Sequence, residues 1–91
     1  MIRVFVVYAD KPDAERYAQH VALCEQVPNG AFRHGAVTQT IAGEPMQYYA
    51  EYEFPDLDTY LEVAKSGAFG PPSEDAAAMG YAHSVYVADL G

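Results

Sequence analysis

Residues Ile2–Pro28 read IRVFVVYADKPDAERYAQHVALCEQVP: a strand, a turn and a helix. Ile2–Tyr8 is β-branched and aromatic, and apolar at almost every position. Neighbouring strand residues point to opposite faces, so a strand apolar on both faces must be covered on both. Asp10-Lys11-Pro12-Asp13 turns the chain, and Pro12 or Asp13 suits the start of a helix. Along Asp13–Pro28, at about 100° per residue, Ala14, Tyr17, Val21 and Cys24 share one side, and Glu15, Gln19 and Gln26 oppose them. His20 falls inside the buried half, near its edge. Pro28-Asn29-Gly30 ends the helix, with Asn or Gly available for a left-handed cap.

Working outward, Ala31–Ile41 (AFRHGAVTQTI) reads as a second strand, with Gly35 as a possible bulge site. Ala42-Gly43-Glu44-Pro45 suits a hairpin connection into a third strand, Met46–Phe54. Tyr48, Ala50, Tyr52 and Phe54 share one face of that strand; Tyr49, Glu51 and Glu53 share the other. Asp56 is a good N-cap, and Leu57, Tyr60, Leu61 and Ala64 form an i, i+3, i+4, i+7 stripe that predicts a buried helix face. Ser66-Gly67 ends that helix. Ser73-Glu74-Asp75 starts a short Ala-rich helix running to about Met79, and His83–Asp89 is the last strand.

The order β-α-β-β-α-β, with one extra helical turn, predicts an α+β ferredoxin-like fold: a four-stranded antiparallel sheet with its helices on one face. Helices on one face leave the other side of the two-faced first strand bare. The same face of a second copy is the simplest cover, which gives a homodimer of face-to-face sheets, a dimeric α/β barrel.

Composition agrees. The 91 residues suffice for one domain, residues 1–91, and not two. A domain of this size buries roughly 60–65% of its unfolded surface; with half the residues hydrophobic and eight tyrosines, apolar surface is left over for a subunit interface. The net charge of −8 repels phosphate backbones and anionic lipids, so neither nucleic acid nor membrane is expected as a partner. The single cysteine, Cys24, precludes an intrachain disulfide and suits a reducing cytoplasm. No stretch approaches a membrane span, and no signal peptide is evident.

At this point the chain resembles a known family. The strand-turn-helix of Ile2–Pro28 is similar to the opening of EthD-like proteins, which are dimeric α/β barrels. Their first helix carries an aromatic residue, a His three or four positions later and a Pro-terminated end; Tyr17, His20 and Pro28 stand at those places. The YYAEYEF strand, the FPDLDTYLEVAKSG helix and the closing HSVYVADL strand also fit. Val21-Ala22 follow the histidine where the family often has Pro, and Asp75 is a loose counterpart of the family's acidic residue near the last helix. The resemblance implies a small cytoplasmic homodimer linked to breakdown of ethers or aromatic compounds.

Two roles fit His20: a general acid/base in a pocket, since imidazole titrates near neutrality, or a core-edge histidine bonded to a tyrosine or a carbonyl. The candidate ligand contacts are Tyr8, Tyr17, Cys24, His34 and Tyr60, which would line a pocket for a small apolar or aromatic molecule, with Tyr8 and Tyr17 orienting it. His20, His34 and His83 lack the spacing of a metal site, so no metal is expected. Cys24 lies on the apolar face with no nearby cation, which suits an inert thiol. There is no P-loop, GxGxxG, GxSxG or CxxC, and no cofactor is expected. The activity predicted is a cofactor-free oxygenation, isomerisation or dehydration; the alternative is a non-catalytic ligand-binding or stabilising module with the same pocket.

Overall fold

A computed structural model of the protein describes residues 1–28 and 30–91. The elements are β1 (Ile2–Tyr8), α1 (Ala14–Glu25), β2 (Ala31–Ala36), β3 (Tyr48–Phe54), α2 (Leu57–Lys65), α3 (Gly70–Met79) and β4 (His83–Asp89). The strands form one antiparallel sheet in the order β2-β3-β1-β4. This is the ferredoxin-like arrangement.

Register decides the faces. Ile2, Val4, Val6 and Tyr8 pair with Phe54, Tyr52, Ala50 and Tyr48 of β3, and directly paired residues point the same way. Both core clusters draw only on this face. Ile2, Val4, Tyr52 and Phe54 pack with Cys24 and Val27, while Tyr8 and Ala50 pack with Tyr17. Tyr8 and Phe54 are the largest side chains removed fully from water, and burial of such rings stabilises by about 2–3 kcal/mol each. No residue of the opposite face enters either cluster. The expected one-sided helical layer is therefore present.

The ends of the elements show where local patterns misled. α1 is capped by the Asp13 carboxylate, which accepts from the Arg16 N–H at 3.0 Å, as expected. It stops at Glu25, and its C-cap is Gln26 in the right-handed region. Gly30 has no positive φ, so it is not a left-handed cap; Asn29 lies outside the described residues. β2 ends at Ala36 rather than Ile41, and residues 37–47 form an irregular connection rather than a tight hairpin. They contain a run of polar and turn-forming residues that offers no alternating face, and Ile41 at 91% exposure has nothing to pack on. Gly35 pairs in unbroken register with Tyr49, so there is no bulge.

α2 has the expected Asp56 cap, with Thr59 N–H donating at 2.7 Å. Its buried stripe is not the one the spacing predicts. Tyr60 and Val63 pack on the core, whereas Leu57 and Leu61 are exposed. The inward face centres between Tyr60 and Val63, roughly 90° round from Leu57, because Phe54 and Phe69 receive the Tyr60 ring at 5.6 and 6.3 Å. α3 begins at Gly70 rather than Ser73, with Pro71 and Pro72 in its first turn, where a missing N–H costs nothing. It ends on Gly80 in the left-handed conformation, φ 74°.

Candidate functional site

The Asp13 cap sets the phase of α1, and Arg16 and His20, four residues apart, then share one flank of the helix. α3 packs along α1 and presents Asp75 to both. His20 Nδ1 lies 2.9 Å from Asp75 Oδ2. The Arg16 guanidinium donates to the same carboxylate from both ends, at 3.0 Å to Oδ2 and 2.6 Å to Oδ1, the strong bidentate geometry. Hydrogen bonding from Arg16, then from His20, holds the Asp75 carboxyl below the usual carboxylate range. An ionised Asp75 accepts only, so Nδ1 carries the proton of this contact and Nε2 is the nitrogen not engaged by Asp75. His20 is 3% exposed, deeper than its position on the helical wheel predicts, because α3 closes over it.

Beside His20 is a cavity of about 130 Å³ between the helices and the sheet. Tyr8, Cys24, Tyr52, Phe69 and Ser73 contribute to its wall, and no Lys, Arg, Asp or Glu does. Val85, 56% exposed, also lines it, so the cavity opens over β4. Burial pushes the Tyr8 and Tyr52 phenols and the Cys24 thiol up. All three are therefore neutral and act as hydrogen-bonding groups rather than anions. A raised thiol is a poor nucleophile.

The candidate residues divide between two places. His20, Tyr8 and Cys24 line this inner cavity. Tyr17 and His34 line a second one, of about 480 Å³, between α1 and the β2–β3 edge. There the His34 ring nitrogen Nδ1 is 3.0 Å from the Tyr48 hydroxyl. Tyr60 touches neither cavity and packs on Phe54 and Phe69. Among the described residues no group of three or more His, Cys, Asp or Glu side chains is arranged to hold a metal ion, and no helix is long and apolar enough to cross a membrane.

Sequence reasoning missed Arg16 altogether and placed Asp75 only loosely. Arg16 had a local signal, its i, i+4 relation to His20. Asp75 is 55 residues from His20 in the chain, and no spacing rule reports such a meeting.

Fold and site together define a ferredoxin-like α+β protein with a cavity between sheet and helices and a carboxylate-held histidine in its wall. Two solved structures share that fold. An ethyl tert-butyl ether D (EthD) family protein from Bacillus halodurans C-125 superposes with a TM-score of 0.76 at 14% identity, covering 100% of this chain and 99% of that one. A dimeric ferredoxin-like protein of unknown function from Thermobifida fusca YX gives a TM-score of 0.68 at 12% identity, over 98% and 90% of the two chains. At such identities the likeness is one of fold, the ferredoxin-like one. No family model and no curated protein matches the chain.

Proposed function

We propose that the protein is a cytoplasmic homodimer that takes a small, neutral aromatic or ether-type molecule into the inner cavity of each subunit, where His20 acts as general base through Nε2. The observation that carries the proposal is the 2.9 Å His20–Asp75 contact in the wall of the cavity. Asp75 fixes the tautomer and stabilises the imidazolium formed when Nε2 takes a proton. Arg16 keeps Asp75 ionised while it does so. The lining has no formal charge to meet a charged ligand, and an apolar cavity of roughly 150 Å³ holds a benzene ring, so one ring is the size that fits. Isomerisation and dehydration need only the proton shuttle that this pair supplies; oxygenation would also need dioxygen.

The homodimer is supported by the free face of the sheet. There Phe5 stacks on Tyr49 and Tyr86 at 6.1 and 5.2 Å, and Tyr86 is 51% exposed. Arg3, Arg33, Glu51 and Glu53 beside them are paired with one another, so a second copy meets a face whose charges are already matched. The Thermobifida protein of the same fold is described as dimeric.

The test uses acetophenone as a carbon acid in deuterated buffer, with NMR following exchange of the methyl protons next to its carbonyl. Wild type accelerates the exchange and His20→Ala does not. Acetophenone bound without accelerated exchange would leave the non-catalytic binding module as the function of the same cavity. A wild type that neither binds nor exchanges it at millimolar concentration would sink both.

A further inference from the structure

We propose that the outer cavity is a second chamber of the His20 site and that Tyr17 is the partition that sets how long a ligand the protein accepts. The proposal rests on the inner cavity being the ligand site. Tyr17 belongs to the wall of the outer cavity. Its ring stands edge-on to Tyr8, centroids 5.9 Å apart at 89°, and Tyr8 lines the inner cavity. On its other side it meets Tyr48 at 5.0 Å and 75° and His34 at 5.5 Å, both in the outer wall. The two spaces are thus separated by aromatic side chains in contact, Tyr17 on the outer side and Tyr8 on the inner. One centroid step of 5.7 Å takes Tyr17 to His20 itself.

The hydroxyl of this ring is the second observation. Tyr17 is 4% exposed, yet its Oη makes no hydrogen bond of full geometry; the Tyr8 phenol is the group it interacts with. Buried phenols normally find a partner. A ring without a well-formed bond at its hydroxyl is held mainly by packing, so it can be truncated without stranding a firm hydrogen-bond partner. Tyr48, its neighbour, lies within hydrogen-bonding distance of His34, at 3.0 Å.

Chemistry on the two sides indicates the ligand class. The inner chamber is mostly apolar, with the imidazoles of His20 and His83 in its wall. The outer chamber continues apolar along Pro12, Ala18 and Val21 and reaches exposed Lys11 and Glu25 only at its rim. A molecule spanning both is neutral and elongated, with an acidic or carbonyl head at His20 and a second ring or alkyl tail leading outward.

Phenol and 4-phenylphenol, titrated calorimetrically, test this. In Tyr17→Ala the affinity ratio of the two-ring to the one-ring probe rises about ten-fold or more over wild type. Adding Ala18→Trp, which fills the outer chamber from an exposed helix position, returns the ratio to the wild-type value. Tyr17→Leu provides the same comparison should the alanine variant fail to fold. An unchanged ratio in the Tyr17 variants overturns the partition. So does a gain that survives Ala18→Trp, because the second ring would then sit in the hole left by Tyr17 itself. Failure of phenol to bind wild type, with the two-ring gain present and lost on Ala18→Trp, removes the inner chamber as a one-ring site while the partition stands.

Discussion

Asp75, on the helical side of the sheet, and Glu51, on its free side, are each a carboxylate with two basic partners, and they do opposite things. Asp75 is held by Arg16 and His20, one permanent cation and one imidazole. Glu51, 8% exposed, is held by Arg3 and Arg33 at 3.2 Å each and accepts from the Tyr49 hydroxyl at 3.0 Å. Both of its ion-pair partners are permanent cations, and neither cavity touches it. One network has a proton to move and a space to move it into. The other is flanked by stacked aromatic rings on the free face, which the proposed dimer would cover. A shared motif of carboxylate and arginine therefore says little about role until the third partner and the nearest void are known.

The largest effect that separates the two is on proton transfer. Asp75→Ala, which leaves His20 free to turn and to take either tautomer, lowers the His20-dependent exchange rate by about 100-fold, the lower end of what general acid–base catalysis contributes. Glu51→Ala leaves the rate within about three-fold, since Glu51 acts only on the opposite face. Equal losses in the two variants would show that the rate reports folding rather than His20, and a thermal melt of each variant separates these cases.

Self-association distinguishes them in the other direction. Tyr86→Asp places an unmatched charge among the stacked rings of the free face and weakens the dimer about 10- to 100-fold, the scale of an interface hot spot. Asp75→Ala does not change it. Sedimentation at micromolar concentration measures both. A wild type that remains monomeric there removes the need for cover on the free face and with it the purpose given to the Glu51 network.

The two networks differed in how visible they were beforehand, for a physical reason. Strand register brings Glu51 beside Arg3 and Arg33 through side-chain alternation on adjacent strands, and the alternation of Tyr49, Glu51 and Glu53 is written in seven consecutive residues. The element order and the one-sided helical layer were legible in the same way, from period-two and period-3.6 patterns. The Asp75–His20 meeting depends on the angle at which α3 lies on α1, a tertiary quantity with no periodic signature. His20 itself could be singled out because a histidine on an apolar helix face is conspicuous; its partner could not. The span 37–47 failed for a third reason, since turn residues mark a change of direction without specifying how long the excursion is.

A smaller effect follows from pH. Asp75 titrates below the usual carboxylate range because of Arg16, so its pairing adds stability above that range. The contribution is lost as pH falls through the depressed value of the folded state. At pH 7, Asp75→Asn is less stable than wild type by about 1–2 kcal/mol, the scale of a charged hydrogen bond. The gap narrows below about pH 4, as the wild-type carboxyl takes up its proton. Denaturant midpoints across the pH series measure it. A gap that stays constant to pH 2 would mean that Arg16 and Asp75 are not paired in solution.

The smallest effect concerns α2, which has neither network. The spacing of Leu57, Tyr60, Leu61 and Ala64 predicts a core-facing stripe; in the fold Tyr60 does pack inward, joined by Val63, while Leu57 and Leu61 are exposed. With Leu61 at 38% exposure, Leu61→Lys keeps its stem along the helix and its charge in water, and shifts stability by no more than about 0.5 kcal/mol. Val63→Ala, on the packed side, costs about 1–2 kcal/mol through lost burial and the cavity left behind. The order of the two, read from denaturant midpoints, is the sensitive quantity. If Leu61→Lys is the more damaging, α2 is turned by roughly a quarter of a revolution from its place here, or a second subunit covers its outer side; repeating the measurement over a hundred-fold range of protein concentration tells these apart, because only subunit cover makes the loss depend on concentration.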